Sequence, residues 1–517
     1  MDKYTLPVCT PVFSDRVEIP KLYEAVLPEY LPNIVRVLKT ESIASVDNSQ
    51  YSDGLLKMQV SLLVRVVYIS EQKGYIKTAT FPFKFEHSFD ASRIQPSADA
   101  YFTSESRACA IASSAKVKGA RSVEIKVNTM LSTNIYNCSD VELLSPEGNT
   151  DAEFRFNTVQ VSKHSKISDR PEKIYEDISL DSELPAIAEV TDYTCKIVLD
   201  SINTADSCVT YNASAILKCT YRTESNPLET DAEYVYLTKE IPIRGEIVSD
   251  AVMSQDAVTG CILLTDIDIG TSFDPYGENR IINACIGYEV MFDVISTDRT
   301  VYADDGYCIS YQCDFQKETY RYDLMCGKVN DKTEITERIP SERVHFTQIT
   351  DSGMNLHVTG TEIAEGKLYA VGKSGAWIMG IDEKGEPACL QTAFNVRVPV
   401  ESVKEPNPER KYLLNMQVMS NDAVLRDGEI TVSATVNTDG IVLESGRIEA
   451  IKQADVIYDL PKPLCRSEYI VYYPEPGEST WDIAKKYEIS VKEFSQANSI
   501  SDNNLSGMKT VIIPCGN

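Results

Sequence analysis

YSDGLLKMQVSLLVRVVY, residues 51–68, opens on a Ser-Asp-Gly turn and then alternates apolar and polar side chains along one long strand. Two later stretches have the same build: VTYNASAILKCTY at 209–221 and GKLYAVGKSGAW at 366–377. Each is followed by a polar turn and a second strand that closes on an apolar-Pro-apolar triplet. The triplets are Phe81-Pro82-Phe83, Ile241-Pro242-Ile243 and Val398-Pro399-Val400, with their prolines 160 and 157 residues apart. Proline donates no ladder hydrogen bond, so each should end or edge a strand. If the repeat is real, all three should fall at equivalent places.

A further strand follows Gly119, Gly277 and Gly428, which are 158 and 151 residues apart. Leu31-Pro32-Asn33-Ile34 and Leu184-Pro185-Ala186-Ile187 also rhyme ahead of a strand, and the third unit diverges there. Landmarks sharing one period imply a threefold repeat. Alternating strands bury one face of a sheet, which is sandwich or barrel logic. The expected fold is mainly β: three tandem β-sandwich-like repeats at 1–150, 151–320 and 321–463, set in a row, plus a small C-terminal βααβ module at 468–517.

The 517 residues include 77 Asp+Glu against 50 Lys+Arg, a net charge of −27. Such a surface repels nucleic acid and anionic membranes. The four histidines lie far apart and form no HExxH motif. None of the 14 cysteines forms a CxxC, and the closest pair, Cys308 and Cys313, has no companion at zinc spacing. They read as reduced, buried thiols in a reducing compartment. The N-terminus has neither a basic nor an apolar leader region, and no apolar run approaches the ~20 residues of a membrane span. The expected location is cytoplasmic.

At Asp459-Leu-Pro-Lys-Pro-Leu-Cys465 two prolines mark a stiff linker. A strand over 468–473 follows. Ser479 with Asp482 and Ser490 with Glu493 are capping boxes for two short helices, and Thr510-Val-Ile-Ile-Pro514 closes the module. Tyr472, Gly477-Glu478-Ser479, Trp481, Ile483-Ala484, Tyr487, Phe494, Asn498, Gly507 and Ile513-Pro514 resemble the LysM pattern. Pro474 and Thr480 depart from it. The resemblance implies a glycan groove between two loops, Gly477, Glu478, Ser479 and Thr480 on one side and Ser501, Asp502, Asn503, Asn504 and Leu505 on the other.

Three long β repeats ahead of one LysM resemble the SPOCS-domain spore-coat morphogenesis proteins. That resemblance implies a non-catalytic scaffold on the mother-cell side of the forespore surface, with the basement-layer ATPase of the coat as partner. The alternative is a wall protein that binds peptidoglycan or another N-acetylglucosamine glycan. Trp481, Lys485, Lys486 and Lys492 form a candidate partner-binding face, against the plainer reading of a solvated helix with Trp481 in the core. Trp377 reads as core.

No catalytic residue, metal ligand or cofactor is assigned. Gly366–Ser374 has a phosphate-loop look but one residue too many, and it lies in a strand. Asp266 with Asp268, and Asp304 with Asp305, read as solvated acids. Ser104 lacks a nucleophile elbow.

Overall fold

The computed structural model describes residues 5–73, 75–94, 101–145, 151–168, 171–224, 233–340, 344–426, 428–462, 468–500, 505 and 508–514. The first unit has six strands: β1 (Thr5–Val26), β2 (Ile34–Ser52), β3 (Leu55–Ser70), β4 (Ile76–Asp90), β5 (Tyr101–Gly119) and β6 (Ser122–Glu142). They form two antiparallel sheets, a meander β2-β3-β4 and a sheet ordered β1-β6-β5.

The second unit repeats this order, with its first strand split into β7 (Ala152–Ser168) and β8 (Glu172–Ser179). Its meander is β9 (Ile187–Ala205), β10 (Cys208–Thr223) and β11 (Tyr234–Val248). The other sheet holds β12 (Ala257–Phe273) and the long β13 (Asn279–Cys308), which pairs with both β7 and β8.

In the third unit β14 (Tyr311–Ile339), β19 (Glu429–Pro461) and β18 (Lys411–Arg426) form one sheet. The meander is β15 (Phe346–Ala364), β16 (Lys367–Asp382) and β17 (Pro387–Val400). The chain thus carries one six-strand topology three times, and the fold is mainly β. β14 starts at Tyr311, ahead of position 321, and Pro461 still belongs to β19 rather than to a linker.

The polar lead-in of each long strand is the turn that sets its register. Asp53-Gly54 and Glu365-Gly366 both have positive φ, as the two-residue hairpin turn requires, and Ser207 takes that role in the second unit. Counting from these turns aligns the three central strands. Tyr68 and Tyr221 fall at the same position, and their hydroxyls donate to the carbonyls of Pro32 (3.0 Å) and Pro185 (3.2 Å). The third unit has Gly380 there. A Cβ would meet Gln348 O at 2.2 Å, and Phe346 packs against the glycine. This explains why the rhyme before the strand is lost.

The proline expectation needs correction. All three prolines lie on the edge strand of their meander. They sit opposite Leu63, Ser214 and Tyr369, which are the ninth, seventh and third residues after the turn. The slips are even, so the face is kept while the register is not.

Nor do the units stand in a row, because the third returns to the first. Gln391 binds both the N–H and the carbonyl of Thr40, and Arg36 donates to Pro387 O at 2.8 Å. Thr78 of the first unit donates to Thr191 O of the second, and Lys218 of the second reaches Asp351 and Ser352 O of the third. The three meanders close a ring about a common axis. Even-numbered β3 residues from Leu56 to Tyr68 fill the unit's own core, while Leu63, Arg65 and Val67 face the neighbouring units. The central strands therefore bury both faces at the ring.

The ring is polar as well as apolar. Lys39, wholly buried on β2, pairs with Asp192 of β9 and, at 3.5 Å, with Glu41, which in turn binds Arg65. Burial alone would lower the Lys39 pKa, but these two carboxylates outweigh it and hold the ammonium charged.

Cys308 and Cys313 are joined by a disulfide across the turn from β13 to β14, which corrects the reading of uniformly reduced thiols. Eight described cysteines are free thiols, and burial raises the pKa of Cys195, Cys219 and Cys389 to about 12. Such thiols behave as small apolar residues. No helix among the described residues is long and apolar enough to cross a membrane.

Candidate functional site

The C-terminal module is built as its pattern demands. β20 (Tyr469–Tyr472) pairs antiparallel with β21 (Val511–Pro514), and two helices lie between them: α1 (Thr480–Tyr487) and α2 (Val491–Ala497). Ser479 and Asp482 make a reciprocal capping box on α1. Asn498 ties the helical half to β21, donating to Ile512 O and accepting from Ile512 N at 2.6 Å. Ile483, Ala484, Phe494, Val511 and Ile513 form the core.

One wall of the expected groove is visible. Gly477, at φ 96°, turns the chain, and Glu475, Pro476 and Gly477 are exposed. The Glu478 carboxylate pins this loop by accepting from Glu475 N at 2.7 Å and from the Tyr472 hydroxyl at 3.0 Å. Thr480 is fully buried, and its hydroxyl has no partner among the described residues. Ser501, Asp502, Asn503 and Asn504 lie outside the described residues, and Leu505 is buried in the module's core. Glu478 takes both the N–H and the carbonyl of Glu475, so the exposed backbone of Pro476 and Gly477 is the part of this loop that can meet an uncharged polar ligand.

The expected partner-binding face is divided. Trp481 is only 6% exposed; its ring packs edge-on to Tyr307, and its Nε1 donates to Asp305 at 3.0 Å. Lys485 meets the same carboxylate at 2.6 Å. Lys486 stacks over the Tyr472 ring and bonds its hydroxyl at 2.9 Å, while Lys492 is exposed. Two of the four residues are thus spent on this chain's own β13. Tyr307 donates to Ile489 O at 2.6 Å. Ser490 leaves its capping position unfilled and reaches Glu153 of β7 at 2.8 Å, which corrects the second capping box. Lys462 bridges Cys308 O and Glu488, each at 2.7 Å.

Asp304 and Asp305, read from sequence as solvated, are parts of this joint. The pairing of β13 with β7 slips between Ala303 and Asp305. Such a bulge re-aims neighbouring side chains. Asp304 goes to Arg155 (2.9 and 2.7 Å) and Asp305 to the module. Burial alone would raise the Asp305 pKa, but the bonds from Lys485 and Trp481 outweigh it and hold the carboxyl below its usual range. Only the Asp-Asp-Gly turn signal pointed to this place, and it carries no information about a docked module.

Elsewhere the phosphate-loop look is spurious, because Gly366–Ser374 runs into β16, where Gly372 abuts His357 O. Glu105, His164 and Asp293 converge as three possible metal ligands. Lys166 lies 3.1 Å from Glu105 and 3.9 Å from Asp293, so the protein's own cation already compensates the acids.

Residues 475–514 match the LysM domain family. No curated protein and no solved structure matches the chain. The chain carries a C-terminal LysM domain, a glycan-binding module, seated by Trp481 and Lys485 on a threefold-repeated β scaffold.

Proposed function

We propose that the chain is a non-catalytic scaffold that presents a LysM domain for ligand capture. The observation that carries this reading is the division of the module's surface. The α1 face is fixed to β13 through Asp305, while the loop Glu475–Gly477 stays exposed. A module held in one orientation presents its ligand loop at lower entropic cost than a tethered one. Resemblance to the SPOCS-domain proteins extends the proposal to spore-coat assembly. In that setting the chain works in the mother-cell cytoplasm at the forespore surface and binds the coat's basement-layer ATPase.

A second reading, a wall protein whose LysM holds peptidoglycan, is favoured by the Cys308–Cys313 disulfide, since structural disulfides persist in oxidising compartments. The test is a two-armed pull-down with the full chain, against peptidoglycan sacculi and against the purified ATPase. Capture of the ATPase supports the coat scaffold. Retention on sacculi alone selects the wall protein, and failure of both arms rejects both readings.

A further inference from the structure

A cavity of about 480 Å³ lies where the three meanders meet. That is the size of a small-molecule site. Its walls follow the repeat. Leu63 and Arg65, Ile216 and Lys218, and Gly375 and Trp377 stand at matching positions of β3, β10 and β16, and all six line it. Gly353 pairs with Trp377 across the strands, and a Cβ there would meet the indole at 2.4 Å. The glycine gives the ring room to form a flat wall.

The charge of this space opposes that of the chain. The protein carries −27, yet the cavity is lined by four cations, Arg65, Lys126, Lys196 and Lys218, and one carboxylate, Glu41. Glu41 is taken by Arg65 and Lys39, and Lys218 by Asp351 at 2.7 Å. Lys126 and Lys196 make no ion pair among the described residues. Behind this wall the Arg65 Nη1 and the Thr40 hydroxyl have no partner among the described residues, but protein atoms close both off from the cavity, so the charge it presents comes from the lysines and the outer edge of Arg65. Burial, with Lys218 beside it, brings the Lys196 pKa down to about 8, as expected for an ammonium lacking a counter-charge.

We propose that this axial cavity binds a small organic anion, with its acidic group among Arg65, Lys196 and Lys218 and its apolar or aromatic body against Trp377 and Ile216. The two halves of the ligand follow from the two halves of the wall. Lys39 already lies over the Trp377 ring, 4.1 Å from its centroid, so the body meets the indole edge together with Leu63 and Ile216; a free inorganic anion would leave that apolar wall unused, and a neutral apolar molecule would leave Lys126 and Lys196 without a counter-charge.

The test uses the full chain with Trp481→Phe, so that Trp377 is the only indole. The probe is anilinonaphthalene sulfonate, compared with phenylnaphthylamine, its neutral counterpart. The proposal expects one sulfonate bound per chain, with saturable quenching of Trp377 and weaker binding of the neutral probe. Lys196→Glu should weaken the sulfonate about tenfold or more, the loss expected for one charge-assisted hydrogen bond. Lys196→Arg should restore it. If Lys196→Glu does not fold, Lys126→Glu, at an exposed position of the same wall, replaces it with the same expected direction. Equal affinity for the two probes, a charge reversal without effect, or no quenching of Trp377 would overturn the proposal.

Discussion

Replacing Asp305 by Ala should release the LysM domain from the scaffold without unfolding either part. Asp305 accepts from Trp481 Nε1 at 3.0 Å and from Lys485 at 2.6 Å. A hydrogen bond to a charged group contributes about 1.5–3 kcal/mol. The half-exposed lysine adds less, about 0–1 kcal/mol after screening. The joint should therefore lose about 2–3 kcal/mol, which raises the undocked population roughly 30- to 150-fold. The Tyr307 bond to Ile489 O and the Ser490 bond to Glu153 remain, so release is partial. Acid should mimic the mutation. The Asp305 pKa is depressed in the folded state, so its contribution is present above the unfolded pKa near 4 and is lost as pH falls through the lower folded value. The assay is hydrogen exchange by mass spectrometry on peptides covering 300–309 and 480–490, together with acrylamide quenching of Trp481. Faster exchange and greater quenching are expected at pH 7. Unchanged exchange in both peptides, with the variant folded, would refute the reasoning.

Three other outcomes follow from the buried polar groups and the ring. Lys39→Met leaves Asp192 buried beside Glu41 and should cost about 3–5 kcal/mol in chemical denaturation, whereas Lys39→Met with Asp192→Leu should recover most of that loss. Asp439 is raised to about 7, chiefly by burial. For a raised carboxyl the protonated form is the one the fold prefers, so stability falls as pH rises from about 4 to 7. Asp439→Asn should then stabilise by up to about 4 kcal/mol at pH 8 and be neutral at pH 4, read from denaturation midpoints at the two pH values. Gly353→Ala drives a Cβ into the Trp377 ring and should lower stability by about 1–3 kcal/mol, with a shift in Trp377 emission.

The repeat was legible because strand alternation and turn chemistry are local. Asp53-Gly54 and Glu365-Gly366 announce their hairpins in two residues, and period-two patterning marks β3, β10 and β16. The LysM was legible for the same reason, since the Ser479–Asp482 box, the apolar face of α1 and Asn498 act within about fifty residues. The closed ring was not. Its contacts join Thr40 to Gln391 and Lys218 to Asp351, and nothing local in either partner announces the other. Arg65 breaks the apolar run at 61–69, and nothing in the run shows that it and Lys218 are residues through which the outer faces meet. The proline triplets misled in register because an edge strand tolerates proline at any position whose N–H faces outward. Asp305 read as a turn acid because a bulge is invisible in composition. Trp377 was read as core, and it is buried, but between units rather than within one.

The most direct test of the account is a calorimetric titration of the full chain with an N-acetylglucosamine tetramer, repeated for Glu478→Ala and Asp305→Ala. Glu478 pins the exposed loop, whereas Asp305 only seats the module. One glycan should bind per chain, with binding lost in Glu478→Ala and kept in Asp305→Ala. Absence of binding to the unaltered chain, or binding that survives Glu478→Ala and disappears in Asp305→Ala, would contradict it.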